Sequence, residues 1–275
     1  MTNSKFRPAP RIAEQHEVCC RAGRGHKNYD EQLVELFAGG WYRTECPACQ
    51  WELLYNKPKE DERRQAAEKA AAEHELSQDL IATGITPRFR GCTFDNFLTD
   101  AGDAGKTRAL SICRGYAEKF AENYRQGRAL MLLGEIGNGK THLACAILQH
   151  IVREEQATGL IVTAEAIIQG VTDSFRQNAS HTKSQLLQEL AEVDLLVIDE
   201  VGMHTPRQGR DFAPGLLHEV IDRRYQLVLP TVLVSNQTRE RLPEFIGPRA
   251  ADRLRENGGL LAPFTWRSAR VGGAA

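Results

Sequence analysis

The chain has 275 residues, of which 41% are hydrophobic and 26% are charged, and its formal net charge is −1. This size and apolar content allow one sizeable core with a small additional module. A net charge so close to zero excludes nucleic-acid binding by overall charge, so such a site needs a local basic patch. No apolar run approaches the roughly 18 residues that cross a bilayer, and the first residues lack a signal peptide's apolar segment, so we expect a cytoplasmic protein without membrane contact.

The first predicted region, residues 1–56, is rich in cysteine. In a reducing cytoplasm, clustered cysteines indicate a metal site rather than disulfides. Cys46 and Cys49 are separated by two residues, the spacing with which two thiolates hold one zinc ion. The expected zinc ligands are Cys20, His26, Cys46 and Cys49.

The first two of these ligands stay open, because Cys19 could replace Cys20 and His16 is close by. The alternative is four reduced thiols without metal. A module of this size has little apolar material, so a bound metal would contribute to its stability. Three aromatic residues surround the C-x-x-C pair and are expected to form the module's core rather than an anchor for a partner. They are Trp41, Tyr42 and Trp51.

The second predicted region, residues 57–83, is rich in Ala, Glu, Lys and Arg and contains no Gly. This composition predicts a helix. Its apolar face is thin, which favours a solvated connector over a core helix.

The third predicted region, residues 84–275, alternates short apolar runs with helical stretches, the pattern of a parallel α/β sheet buried on both faces. A helix is expected from Lys140 to about Glu154. The predicted strands are 129–133, 159–164, 194–199 and 230–236.

The segment G-E-I-G-N-G-K-T follows the first of these strands and precedes the helix, as a phosphate-binding loop requires. Its glycines let backbone N–H groups turn inward, and the helix N-terminus favours anionic phosphates. Lys140 is expected to reach the β- and γ-phosphates of ATP, and the Thr141 hydroxyl to bind Mg²⁺. The predicted nucleotide contacts are Gly134, Glu135, Ile136, Gly137, Asn138, Gly139, Lys140 and Thr141.

The third strand ends in Asp199 and Glu200, a pattern typical of a Walker B strand. Asp199 is expected to hold Mg²⁺, and Glu200 to orient and polarise the attacking water. Asn236 follows the fourth strand, where a polar side chain can reach the γ-phosphate or merely start a turn. Arg249 and Arg253 lie four residues apart, which by periodicity alone favours a solvated basic helix face.

The order of these motifs, ending in G-P-R-A-A-D-R-L-R and F-T-W-R-S-A-R, resembles the DnaC-type replicative helicase loaders, which are AAA+ ATPases. The resemblance covers about residues 84–271 and includes R-F-R-G-C-T-F-D-N-F at 88–97. It implies an AAA+ P-loop fold preceded by a small zinc-binding module and a helical connector, and a slow ATPase regulated by partners and DNA. Loaders of this kind assemble into a spiral on a hexameric helicase, grip it through the N-terminal part, and hold single-stranded DNA. The cysteine module is similar to that of phage-encoded loaders.

The resemblance also implies roles for individual residues. Asn236 matches sensor one, Arg253 matches the arginine finger that reaches a neighbouring subunit's ATP, and Arg270 matches sensor two. Arg249 falls in the same motif as Arg253. Phe175 matches a DNA-facing aromatic, although a core Phe is the alternative.

Basic residues near these positions are expected to bind DNA phosphates. They are Arg176, Arg207 and Arg210. Two other functions stay open, namely an IstB-like transposition helper ATPase and a metabolic P-loop kinase. The paired carboxylates and late arginines argue against the kinase.

Overall fold

The chain divides into two compact units in the computed structural model. The small unit is Pro8–Ala82, and the large unit is the chain from Thr83 onward together with residues 5–7. The division differs from the three predicted regions, because the helical region belongs to the same unit as the cysteines. The structure describes residues 5–99, 103–176, 180–203 and 213–266.

The small unit combines an antiparallel sheet with two helices. Its strands, in sheet order, are Ile12–Val18 (β1), Tyr29–Glu35 (β2) and Trp41–Arg43 (β3). The helices are Pro47–Tyr55 (α1) and Glu62–Ala82 (α2), and α2 matches the predicted helix. The strands were not predicted, because β1 is exposed along most of its length and lacks the apolar alternation that marks a half-buried strand.

The large unit contains a five-stranded sheet in which every neighbouring pair is parallel. The strands are Leu130–Gly134 (β4), Gly159–Thr163 (β5), Leu195–Val201 (β6), Thr231–Ser235 (β7) and Leu260–Phe264 (β8). Their order is β5-β6-β7-β4-β8, which places β4 inside the sheet. The predicted parallel sheet is confirmed. β8 was not predicted because it contains Pro263, which usually excludes a sheet position; as an edge strand paired only with β4, it tolerates the missing N–H.

Helices of the large unit alternate with the strands. The described helices are Ala104–Glu118 (α3), Phe120–Gln126 (α4), Lys140–Glu154 (α5), Ala164–Asp173 (α6), Lys183–Glu192 (α7), Ala213–Gln226 (α8), Pro243–Ile246 (α9) and Pro248–Arg253 (α10), with short 3₁₀ turns at Pro87–Phe89 and Glu256–Gly258. Several of these helices start at a capping residue whose side chain binds the backbone of the first turn. Thr182 and Gln185 form a reciprocal capping box at α7, for example.

The core of the large unit lies between the sheet and these helices. Leu130, Leu132 and Leu196 are fully buried, as expected for strands covered on both faces. The cysteines outside the small unit are buried, as predicted for small core residues, and they are Cys92, Cys113 and Cys145. None of the helices in the described ranges has the length and apolar character that a bilayer crossing needs.

Candidate nucleotide site and cysteine centre

The loop between β4 and α5 is shaped by glycines that no other residue could replace without a shift. Gly139 precedes α5 with φ 85°, and a Cβ there would lie 2.6 Å from a ring carbon of Phe97. A Cβ on Gly134 would lie 2.1 Å from the carbonyl oxygen of Phe264. The loop is therefore packed closely between the 88–97 segment and β8, and it leads into the N-terminus of α5, which favours an anionic ligand.

Lys140 is held inside this loop. Its Nζ donates hydrogen bonds to the carbonyl oxygens of Gly134 at 2.7 Å and Glu135 at 2.6 Å. The residue is only 6% exposed, and burial lowers the pKa of Lys140 to about 8. A phosphate would restore the charge that burial disfavours, which suits this ammonium to an anionic ligand.

Thr141 and Asp199 meet although they are far apart in the sequence. The Thr141 Oγ1 donates to the Asp199 Oδ2 at 2.9 Å. Burial raises the pKa of Asp199, and the nearby Lys140 acts in the opposite direction. A hydroxyl beside a carboxylate at a phosphate loop is a donor set that Mg²⁺ accepts, so the residues present fit the predicted metal.

Glu200 has a strained backbone at the end of β6. Its φ is 58°, and the β6–β7 pairing changes register between Ile198 and Val201. The side chain is exposed, and its own N–H donates to the Asp199 Oδ1 at 2.7 Å. Strain of this kind at a carboxylate beside a phosphate loop is typical of a functional position.

Asn236 follows β7 and faces the same cavity as Glu200. Its Nδ2 donates to the Met203 Sδ at 2.8 Å. The cavity holds about 340 Å³ and includes most of the predicted loop residues, Asp199, Glu200 and Asn236. The geometry therefore unites the polar groups that the sequence assigned to phosphate, metal and water.

Six residues that line this cavity lie outside the predicted site residues. Arg88 and Phe89 belong to the segment at 88–97, whose resemblance indicated where the domain begins but no ligand contact. His142 lies in the first turn of α5, and its Nε2 contacts the Thr93 carbonyl oxygen at 2.8 Å. The six are Arg88, Phe89, His142, Met203, Val234 and Ser235.

Asn138 ties the loop to the end of β8. It is 2% exposed, and its Nδ2 donates to the carbonyl oxygens of Phe264 at 3.2 Å and Trp266 at 2.5 Å. The chain beyond Trp266, which includes the predicted sensor residue Arg270, lies outside the described residues.

Arg253 lies apart from the chain's own nucleotide cavity. It pairs with Asp222 of α8, and its guanidinium carbon lies 5.0 Å from the centre of the Tyr225 ring. Neither Arg253 nor the exposed Arg249 lines the cavity. Any contact of Arg253 with ATP must therefore involve another subunit or a rearrangement.

Phe175 lies just beyond α6 and is 73% exposed, so it is not a core residue. Arg176 beside it pairs with Asp173 at 3.4 Å. The other predicted DNA residues, Arg207 and Arg210, lie outside the described residues.

The four predicted zinc ligands converge in the small unit, and their ligand atoms all lie within 4.8 Å of one another. The Cys20 Sγ lies 3.2 Å from the Cys49 Sγ and 3.4 Å from the His26 Nδ1. The His26 Nδ1 is also 3.6 Å from the Cys46 Sγ. Tetrahedral zinc would separate sulfur pairs by about 3.8 Å and sulfur from nitrogen by about 3.5 Å. The sulfur–nitrogen distances match these values, and the Cys20 and Cys49 sulfurs lie somewhat closer together than zinc would place them.

A second layer orients the histidine. The His26 Nε2 lies 3.1 Å from the Glu52 Oε1, and Arg24 pairs with the same carboxylate. A carboxylate behind a metal-binding histidine fixes the ring and its tautomer. The Ala22 N–H and then the Cys49 thiol lower the pKa of Cys20 to about 7. Cys19 is exposed and lies outside the cluster, as does His16.

The prediction that the aromatics form the core of this module is wrong for both tryptophans. Trp41 is 47% exposed and Trp51 is 57% exposed. Tyr42 is half-buried and stacks on His74 with ring centroids 4.4 Å apart. Four ligands around one metal would supply local order that an apolar core otherwise provides, which is compatible with tryptophans that face outward.

The order β5-β6-β7-β4-β8, a phosphate loop after the inner strand β4 and paired carboxylates at the end of β6 define an AAA+ P-loop ATPase. The comparisons agree with this class. The family model of IstB-like ATP-binding proteins matches residues 117–250.

The replicative helicase loader DnaC of Escherichia coli (strain K12) is 31% identical over 218 residues, which are 79% of this chain and 85% of that protein. The DnaC of Buchnera aphidicola subsp. Acyrthosiphon pisum (strain APS) is 30% identical over 71% of this chain and 76% of its own length. A crystal structure of the DnaC helicase loader shares the fold with a TM-score of 0.54 and 21% identity, covering 65% of this chain and 99% of that one. The chain belongs to the DnaC family of replicative helicase loaders, and the predicted family is confirmed.

Proposed function

We propose that this chain loads a hexameric replicative helicase onto single-stranded DNA during DNA replication, under the control of ATP. The observation that carries the proposal is 31% identity to DnaC over 79% of this chain, together with the nucleotide site at the end of β4. The alternative of an IstB-like transposition helper draws on the family model alone.

The nucleotide site has a separate task for each side chain. Lys140 binds the β- and γ-phosphates, and Thr141 and Asp199 would hold Mg²⁺, which neutralises phosphate charge when bound. Glu200 orients and polarises the attacking water, and Asn236 senses the γ-phosphate from the end of β7. Arg270 contacts the same phosphate as sensor two.

Arg253 completes the ATP site of a neighbouring subunit. Its distance from the chain's own cavity supports this role, since a finger acting in trans must lie on a different face. The side chain is 24% exposed beside Asp222, so it is partly accessible from outside this chain. Self-association into an oligomer or spiral is therefore part of the proposal.

Single-stranded DNA binds where Phe175 is exposed. An aromatic face can stack on any base, and the adjacent Arg176 can pair with a phosphate. Arg207 and Arg210 add further phosphate contacts.

The small unit grips the helicase, and α1 is the element best suited to it. Trp51 and Tyr55 are 57% and 66% exposed on this helix, with ring centroids 5.8 Å apart. Exposed aromatic pairs are typical anchors of protein interfaces. Zinc would fix this surface, because Cys46 caps α1 and Cys49 lies in its first turn.

A pull-down with a tagged hexameric replicative helicase tests the proposal. The full chain should be retained in at least one nucleotide state, and Trp51→Ala should weaken retention without changing ATP binding. Lys59→Ala, a surface change outside α1, is the control. No complex with either ATP or ADP, combined with a preference for duplex DNA, would favour the transposition helper instead.

A further inference from the structure

Residues 5–7, which we call the strap, lie on the large unit although the chain then enters the small unit at Pro8. Phe6 packs against the main hydrophobic core of the large unit. Its ring fills the space beside Gly170 of α6, where a Cβ would lie 2.9 Å from the ring's Cζ. The absence of a side chain at residue 170 therefore makes room for Phe6.

Phe6 places Lys5 against the last residue of α6. The Lys5 Nζ donates to the Asp173 Oδ2 at 2.9 Å. The two side chains are 36% and 27% exposed, so solvent screens the pair only in part. Lys5 is also the main cause of the lowered pKa of Asp173.

Asp173 has a second cationic neighbour, because the Arg176 NH1 lies 3.4 Å from its Oδ1. Phe175 lies between these two residues in the sequence and is 73% exposed. An uncompensated carboxylate here would repel a nucleic-acid phosphate and would hold Arg176 more strongly in their ion pair. Lys5 offsets that charge from outside the helix.

We propose that the strap is a working part of the DNA-binding surface, in which Phe6 anchors Lys5 and Lys5 offsets the charge of Asp173, so that this carboxylate competes less with a single-strand phosphate for Arg176. This inference rests on the proposed binding of single-stranded DNA at Phe175. Lys5 acts here as a positioning residue, through Asp173 and Arg176.

The test is the affinity of the full chain for a fluorescent oligothymidine, measured by anisotropy with ATP present, with ATP affinity measured in parallel. Lys5→Ala should weaken DNA binding about three- to fivefold, the range of one partly screened ion pair. Adding Asp173→Asn to that variant should restore binding, because the repelling charge is gone. ATP affinity should not change.

Two further variants separate the strap from general damage. Gly170→Ala, which takes the space of the Phe6 ring, should weaken DNA binding as Lys5→Ala does. Lys57→Ala removes one charge from an ion pair with Asp61 in the small unit and should have no effect.

The inference is overturned if Lys5→Ala binds DNA like the wild type, or if Asp173→Asn does not restore the Lys5→Ala protein. Phe175→Ala distinguishes failure of the strap inference from failure of the proposed DNA-binding surface. If Phe175→Ala weakens binding but Lys5→Ala does not, the strap alone is wrong. If Phe175→Ala also binds normally, the DNA surface itself is wrong and the strap inference fails with it.

Discussion

The Thr141 hydroxyl donates a hydrogen bond to the Asp199 carboxylate over 2.9 Å, and this contact joins the phosphate loop to the end of β6. The two residues lie on α5 and β6, and β7 separates β6 from β4, the strand that leads into α5. Their contact arises because the carboxyl ends of parallel strands open on one edge of the sheet. Nucleotide and magnesium are expected to insert at this point, so both the chemistry and its regulation depend on it.

Removing the carboxylate of Glu200 should separate ATP binding from ATP hydrolysis. Glu200→Gln keeps the size and the backbone conformation but cannot polarise water. Turnover should fall by about 100-fold or more, while ATP affinity stays within about twofold. Phosphate release and equilibrium binding of a fluorescent ATP analogue measure the two quantities. Unchanged turnover would remove Glu200 from the mechanism.

ATP affinity should fall as the pH rises above about 8. Burial lowers the pKa of Lys140 to about 8, from 10.5 in an unperturbed lysine, so the unliganded loop loses its charge above that pH. ATP binds the charged form, so the affinity should drop by up to about tenfold per pH unit there and stay flat below. Isothermal titration with MgATP between pH 7 and 10 measures this.

The same shift affects stability with the opposite sign. Because burial disfavours the ammonium, the charged Lys140 lowers the free energy of unfolding of the unliganded protein. This destabilisation is fully present below about pH 8 and is relieved between pH 8 and 10.5.

Lys140→Ala should abolish the pH dependence of ATP binding above pH 8. If the variant kept that dependence, another group would be responsible.

The small unit should contain about one zinc ion per chain, measured by elemental analysis of the purified protein. Cys46→Ser should lose the metal and lower the unfolding temperature of the small unit. Cys19→Ser, a change at an exposed thiol outside the cluster, should keep it. Glu52→Gln should keep the fold but weaken zinc affinity about 10- to 100-fold in a chelator competition. Full retention of zinc by Cys46→Ser would contradict the ligand set.

Arg253→Ala should bind ATP normally and fail to hydrolyse it. Mixing it with Lys140→Ala should restore part of the activity, since each protein supplies what the other lacks at a shared interface. Arg255→Ala, a change at an exposed neighbour, is the matched control. If the single variant turned over ATP like the wild type, the arginine finger would lie elsewhere.

The nucleotide site was predictable because its signals are local. A short apolar strand, glycines and Lys140 followed by a helix define the loop without knowledge of the rest of the fold. The C-x-x-C spacing identified Cys46 and Cys49 for the same reason, although only the folded chain shows that Cys20 rather than Cys19 joins them.

The remaining features depend on tertiary contacts that no local pattern carries. Pro263 argued against a strand at the position of β8, and the outward position of Trp51 could not be inferred from composition. The docking of Phe6 against Gly170 joins residues that are distant in the sequence, and neither residue carries a motif. Likewise, nothing in the helix pattern near Arg253 indicated that Asp222 holds it.

Loading of a hexameric replicative helicase onto closed circular single-stranded DNA tests the central claim most directly. ATP is present throughout, and the loader is either the wild-type chain or Lys140→Ala. The measured quantity is the amount of helicase that stays on the circle after gel filtration. The wild-type chain should load the helicase onto the circle. With Lys140→Ala, the amount of helicase on the circle should equal that of a control without loader. Equal loading by both proteins, or none by the wild type, would contradict the central claim.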